Sequence, residues 1–207
     1  MSSTFLQAAA KTPQQHNPLA AASRGKRGAP PAPLTASRAQ LLLGGPDRQF
    51  RRLVHNLFAF GSRHEAMRAG HGARIGLTGI EYTFLISIRH LEHDGDVGVK
   101  DLADHLHFSG PFATTMVGKL IKKSLVAKEV DPDDRRRVCL HVTPRGHELL
   151  SQLAPVQRQV NDVQFGCLTR TEFQTLSRLM EKLIDSGDQA LALQSYLAVG
   201  PDEAGHG

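Results

Sequence analysis

The chain has 207 residues with a formal net charge of +5, room for one domain with tails or a domain plus a dimerisation element. It contains no run of about 18 apolar residues, which excludes a membrane-spanning helix, and its start lacks the basic and apolar blocks of a secretory signal. Its two cysteines, Cys139 and Cys167, lie far apart, which argues against a disulfide scaffold or zinc ribbon and fits a reducing cytoplasm.

Residues 1–45 are rich in Ala, Pro, Gln, Ser and Gly and carry five basic residues and no acid, so the tail holds the whole charge excess. Few large apolar residues and no sustained period predict a disordered basic tail. A first helix is expected from about Asp47 to Gly70, with Phe50, Leu53, Val54, Leu57, Phe58 and Gly61 as a buried stripe that continues through His64 and Arg68. Gly70, His71 and Gly72 are expected to stop it. Thr78 and Glu81 form a capping box that opens a second helix. There Ile80, Phe84, Leu85, Ile88 and Leu91 fill one face, and Tyr82, Ile86 and Arg89 a second. A helix apolar on two sides is buried between layers, and a buried Arg89 needs a partner.

After a turn at Asp94, Gly95 and Asp96, Val97 to Val99 is expected as a short strand. The stretch from Asp101 to Val142 then changes period twice. Leu102, Ala103 and Leu106 line a short helix, with Asp101, Asp104 and His105 outside. Ser109 caps the next helix, and Pro111 sits in its first turn, where a missing N–H costs little. Phe112, Ala113, Met116, Val117, Leu120 and Ile121 form its apolar stripe; Thr114, Thr115, Gly118, Lys119, Lys122 and Lys123 face the other way. The period then drops to two: Val126, Lys128 and Val130 alternate with their neighbours, as do Val138, Leu140 and Val142. Between them, Asp131 to Arg137 supplies a turn with three consecutive arginines.

Helix, turn, helix and basic hairpin make a winged helix-turn-helix, a DNA-reading module. From Phe108 to Gly146 there are eight Lys and Arg against four acids, so the cationic excess is local to this module. The expected fold is therefore mainly α with a small β-hairpin wing. Thr143 and Pro144 open a helix through Leu149, Leu150, Leu153, Val156 and Val160, in which Pro155 should kink or break the run. Thr169 and Glu172 cap a last helix bearing Phe173, Leu176, Leu179, Met180, Leu183, Ile184 and Leu191. The layout is thus a tail over 1–45, a dimerisation helix over 46–75, the winged helix-turn-helix over 76–146, dimerisation helices over 147–197 and a loose tail over 198–207.

The run Leu102 to Ser109, the Asp131 to Arg137 hairpin and its Leu140-x-Val142-Thr143-Pro144-x-Gly146 exit resemble the MarR family of bacterial transcription regulators, over roughly Arg48 to Leu191. Gly110, Pro111 and Phe112 replace residues that are more often polar in that family, and Gly118 stands where an Asp is common. The resemblance implies a homodimer on a palindromic double-stranded DNA operator. It also implies a small-molecule pocket between the dimerisation helices and the reading head, often taken by aromatic acids or phenols. Phe58, His64, Arg68, Tyr82 and Arg89 could bind an aromatic carboxylate there, or form an internal salt-bridge set with Glu65 or Glu92.

For DNA contact the candidates are Ser109, Thr114, Thr115, Gly118, Lys119 and Lys122 on the helix and Arg135, Arg136 and Arg137 on the wing. Hydroxyls and methyls suit base edges, ammonium groups suit phosphates, and arginines at a hairpin tip suit the narrow minor groove. Eleven histidines raise the question of metal, but His90 with His93, and His105 with His107, have generic spacing and no thiolate beside them. No metal site or cofactor is expected. Cys139 alternates away from Val138 and Leu140, an exposed wing thiol by this reading. Enzyme signatures are missing from the sequence. The expectation is a cytoplasmic, effector-released repressor; a metal- or redox-responsive regulator of the same fold, or a winged-helix protein-interaction module, is the alternative.

Overall fold

A computed structural model of the chain describes residues 33–130 and 138–198. Two compact units divide between Asn56 and Leu57. In the first, the short helix α1 (Ala39–Leu42) stands within the stretch expected to be featureless. What orders this segment is Asp47: its carboxylate accepts the N–H and hydroxyl of Thr35, both at 2.6 Å, and pairs with Arg51 at 2.8 Å. These bonds, Thr35 first, hold the Asp47 carboxyl below its ordinary value.

Helix α2 (Arg48–Arg74) runs past Gly70 and Gly72, which were expected to end it. Gly72 serves close packing instead. A Cβ there would sit 2.7 Å from the Thr78 carbonyl oxygen, so the turn after the helix can close only on a glycine. The anticipated buried stripe is open: Leu53, Val54, Leu57 and Phe58 are all exposed, and Phe50 is half-buried. Among the described residues, nothing covers those positions.

The second unit contains the core. Helix α3 (Gly79–Leu91) opens on the expected capping box, Thr78 accepting from the Glu81 N–H and Glu81 accepting from the Thr78 N–H. Phe84, Leu85 and Ile88 are fully buried; Arg89, expected to be enclosed, is exposed and pairs with Glu92 at 3.5 Å. Residues 97–99 form no strand. The Val97 carbonyl takes one hydrogen bond from Leu140 N–H, and Val99 already begins α4 (Val99–Leu106).

Helix α5 (Gly110–Lys122) packs on α3 and α4 through Ala113, Met116, Val117 and Leu120, all buried. Strands β1 (Val126–Val130) and β2 (Val138–Val142) pair antiparallel from Val126 with Val142 out to Val130 with Val138. Cys139 is buried, which overturns the exposed-thiol reading: Cys139 and Leu140 are both covered, so β2 does not alternate cleanly. The exit glycine also has a reason. A Cβ on Gly146 would meet the Leu125 carbonyl oxygen at 2.5 Å, where the start of the next helix crosses the root of the wing.

Helix α6 (Pro144–Phe165) is capped by Thr143 and continues through Pro155 without a break. Helix α7 (Arg170–Ala198) has no buried residue. No helix among the described residues is long and apolar enough to cross a membrane. The result is a mainly α protein with a small antiparallel wing, as the sequence pattern predicts. Each core side chain such as Phe84 or Leu120 contributes about 1.5–3 kcal/mol by leaving water, and that burial holds α5 in place.

Candidate nucleic-acid interface

Helix α5 is aimed by both of its ends. At the start, the Ser109 hydroxyl accepts the Phe112 N–H at 3.4 Å, and Pro111 fits the first turn. The unusual Phe112 has a structural role. Its ring lies 4.9 Å from Phe108 and 6.1 Å from Phe84, centroid to centroid, and Phe84 and Phe108 are 5.7 Å apart. Three rings thus pin the turn between α4 and α5 to the core. The sequence signal was the pair Phe108 and Phe112 flanking the N-cap, which the stripe analysis did not connect to Phe84.

The outer face of α5 carries Thr114, Thr115, Lys119 and Lys122, all exposed, with Gly118 half-buried between them. A Cβ on Gly118 would meet nothing within 4 Å, so the fold itself does not demand a glycine there. Thr114 and Thr115 donate their hydroxyl hydrogens to the Gly110 and Pro111 carbonyls at 2.9 Å each. With that hydrogen used, each side chain offers lone pairs and a methyl. Such a surface can accept from the amino group of adenine or cytosine, or touch a thymine methyl.

Lys123 departs from this set. Its ammonium group is bonded to the Glu81 carboxylate at 3.0 Å and to the Gly76 carbonyl at 3.4 Å. Of the wing, the two strands pair from a root at Val126 and Val142 out to Val130 and Val138. Arg135, Arg136 and Arg137 lie outside the described residues.

A separate cavity of about 290 Å³ opens between α2, α3 and α6, lined by His64, Arg68, His71, Tyr82, Gln157 and Gln164 among others. Three of the five sequence candidates meet here: His64, Arg68 and Tyr82. Phe58, 79% exposed, and Arg89, 44% exposed on its side chain, do not line it. Histidine 71 was missed, because a position between two glycines reads as a helix stop rather than a wall.

Polar side chains are set among apolar ones in the cavity wall, and one of them is incompletely satisfied. Arg68 pairs with Glu65, yet its Nε is buried with no hydrogen-bond partner among the described residues. Burial first, then the positive charges of His64 and Arg74, hold the His71 imidazole below its ordinary value. Burial pushes the Tyr82 phenol up, against a hydrogen bond with Gln157 and the charge of Arg68. His64 lies 3.4 Å from the Gln164 amide and stacks on Phe60 at 5.9 Å. An uncharged histidine, a neutral phenol and an under-bonded guanidinium make a site suited to a small, planar anion.

His90, which also lines the cavity, and His93 are exposed, and His107 lies 3.4 Å from Asp188. Among the described residues, no group of three or more His, Cys, Asp or Glu side chains is placed to hold a metal ion.

A two-helix reading unit with a paired wing defines a winged helix-turn-helix DNA-binding protein. Residues 75–137 match the sequence model of the MarR family. The HTH-type transcriptional repressor NicR of Pseudomonas putida is 29% identical over 131 residues, covering 62% of this chain and 79% of NicR. MarR of Oenococcus oeni has the same fold, with a TM-score of 0.56 at 19% identity, covering 64% of this chain and 98% of that one. BpsR of Bordetella bronchiseptica, in a structure concerned with regulation of its DNA binding by 6-hydroxynicotinic acid, is 25% identical. Its TM-score is 0.53, over 63% of this chain and 91% of BpsR. Residues 75–137, the reading head, thus match the MarR family, and the curated relative that aligns with this chain is a transcriptional repressor.

Proposed function

We propose that this regulator is a ligand-responsive repressor that binds a pseudopalindromic operator as a homodimer and is released by a small aromatic carboxylate. The observation that carries the DNA reading is the outer face of α5. A fully packed inner stripe presents Thr114, Thr115, Gly118, Lys119 and Lys122 to solvent as one polar, cationic surface. In the major groove the threonines meet base edges, and the lysines meet phosphates beside Ser109 at the helix start. The arginines Arg135, Arg136 and Arg137 take the adjoining minor groove.

Dimerisation is assigned to the helices over 46–75 and 147–197, where Leu53, Leu57, Phe173, Leu176 and Leu183 are exposed among the described residues. Two reading heads then address half-sites about one helical turn, roughly 34–36 Å, apart. The effector reading rests on the buried Arg68 Nε, unpartnered among the described residues, in a cavity with His71 and Tyr82. A carboxylate fills that gap with a charge-assisted bond, and the reported action of 6-hydroxynicotinic acid on BpsR fits the same chemistry. Because the cavity lies between α2, α3 and α6, an occupant that favours a different spacing of these helices shifts the two heads out of register with successive grooves. The setting is the cytoplasm.

The test is a titration of the purified protein against DNA upstream of its own gene at two salt concentrations, repeated with 6-hydroxynicotinate and with benzoate. Saturable nanomolar binding that falls steeply with salt and is released by either acid supports the reading. Weak binding indifferent to sequence removes the repressor. It favours a winged-helix module that holds a partner protein. Tight binding unmoved by both acids removes the aromatic-carboxylate effector alone.

A further inference from the structure

Among the cationic side chains on and next to α5, Lys123 is anchored inward. It lies just past the last turn, and its ammonium group reaches 42 residues back along the chain to Glu81 Oε2 at 3.0 Å. The same carboxylate oxygen accepts the Thr78 N–H at 2.9 Å and the Thr78 hydroxyl at 3.1 Å, so it is saturated by donors. Glu81 is 5% exposed. Lys123 also donates to the Gly76 carbonyl at 3.4 Å, binding both sides of the turn between α2 and α3. Burial raises the Glu81 carboxyl, but the Thr78 and Lys123 donors outweigh burial and hold it below its ordinary value, which keeps it a carboxylate at neutral pH.

The contact resolves a degree of freedom that packing leaves soft. Beyond the ring contacts of Phe112 at its start, the inner stripe of α5 is Ala113, Met116, Val117 and Leu120, and such apolar burial is non-directional, so it resists separation more than small rotation or sliding. A charge-assisted hydrogen bond to a buried carboxylate is directional and short. Lys123 lies eight residues beyond Thr115, about 12 Å along a stiff helix, so fixing one end fixes the attitude of the other. Glu81 also directly precedes Tyr82, a wall of the cavity. We infer that Glu81 and Lys123 are positioning residues for DNA recognition: the tie sets α5 against the first turn of α3, and Lys123 acts through Glu81 and not through a DNA phosphate.

The inference rests on α5 being the groove helix, and the experiment separates the two. Operator and random-duplex affinities would be measured across salt for Lys123→Met, Glu81→Gln, the double variant, Lys123→Arg, Lys122→Ala and Thr115→Val. Glu81→Gln keeps a carbonyl oxygen for the Thr78 cap, and Lys123→Met keeps an apolar stem, so thermal melts should show both folded. The tie predicts operator affinity about 10-fold weaker for either single variant and no weaker for the double, with the salt slope unchanged and Lys123→Arg close to the parent. Lys122→Ala, in contrast, should lower the slope by about one. If Lys123→Met lowers the slope as Lys122→Ala does, or the two single losses multiply in the double, the tie is overturned. Unchanged operator affinity in Lys123→Met and Glu81→Gln overturns it as well. If Thr115→Val and Lys122→Ala are both silent, the groove reading itself falls, and the inference with it.

Discussion

Helices α5 and α7 are built on the same amphipathic plan and meet different fates. In α5, Ala113, Met116, Val117 and Leu120 are buried against α3, α4 and the sheet. In α7, Phe173, Leu176, Met180, Leu183 and Ile184 repeat at helical spacing and every one is exposed, Leu183 at 50%. The difference lies in what the chain supplies. Short connections fold three elements over α5, whereas no described segment covers the α7 stripe. A contiguous apolar face of this length is the kind of surface that protein interfaces use. One helix is finished by its own chain; the other is proposed to be finished by a second copy.

The largest expected effect breaks that contrast at α7. Replacing Leu176 and Leu183 together with Glu should give a folded monomer by sedimentation velocity. Operator affinity should fall by about 100-fold or more, because two linked half-site contacts become one. A dimer with parental affinity would mean that α7 is not the interface. At α5 the equivalent cut is internal: Leu120→Ala should destabilise the fold by about 2–5 kcal/mol in chemical denaturation, as a cavity in a close-packed core does. An effect below 1 kcal/mol would show that the stripe is less tightly held than its burial implies.

Much of this contrast is legible from residue order. The capping pairs Thr78 with Glu81 and Thr169 with Glu172, the inner stripe of α5 and the period-two wing strands all stand where local pattern places them. Such features depend on neighbours within one turn or one hairpin. Burial of the α2 stripe was misjudged because periodicity reports which face is apolar and not what covers it. Gly72 shows the same limit: its effect as a helix stop is local, while its need to let Thr78 approach is tertiary. At the site, His64, Arg68 and Tyr82 were found through stripes that end in polar groups, but His71 and the Glu81–Lys123 pair depend on which helices meet.

Smaller effects sharpen the difference between the outer face of α5 and the cavity. Thr115→Val keeps shape but loses an acceptor. It should weaken operator binding by about 1–3 kcal/mol while leaving random duplex unchanged. Equal loss on both DNAs would reassign Thr115 to a non-specific contact. Arg68→Gln should leave operator affinity near parental and abolish release by an aromatic carboxylate, read as the acid concentration needed to free half the DNA. Release at parental concentrations would remove Arg68 from the ligand site.

The smallest effect is on pH. Burial disfavours the His71 imidazolium, so the unfolded chain takes up that proton more readily. Its contribution to stability is complete above the ordinary histidine value of about 6.5 and is lost as pH falls through the lower folded value. Glu81, held low by its donors, acts in the same direction at more acid pH, losing its contribution as pH drops below the ordinary carboxyl range. Thermal melts of His71→Gln against the parent should therefore converge on acidification below about pH 6.5. Parallel curves throughout would place the His71 proton equilibrium outside the folding balance.

The most direct test of the account is the salt dependence of operator binding, parent against Arg136→Ala. The account predicts saturable nanomolar binding that exceeds random duplex by at least about 1,000-fold. Its slope against salt should fall by about one when the wing arginine is removed. Binding of the parent that is weak, indifferent to sequence and unchanged by Arg136→Ala would contradict the claim that this winged helix reads DNA.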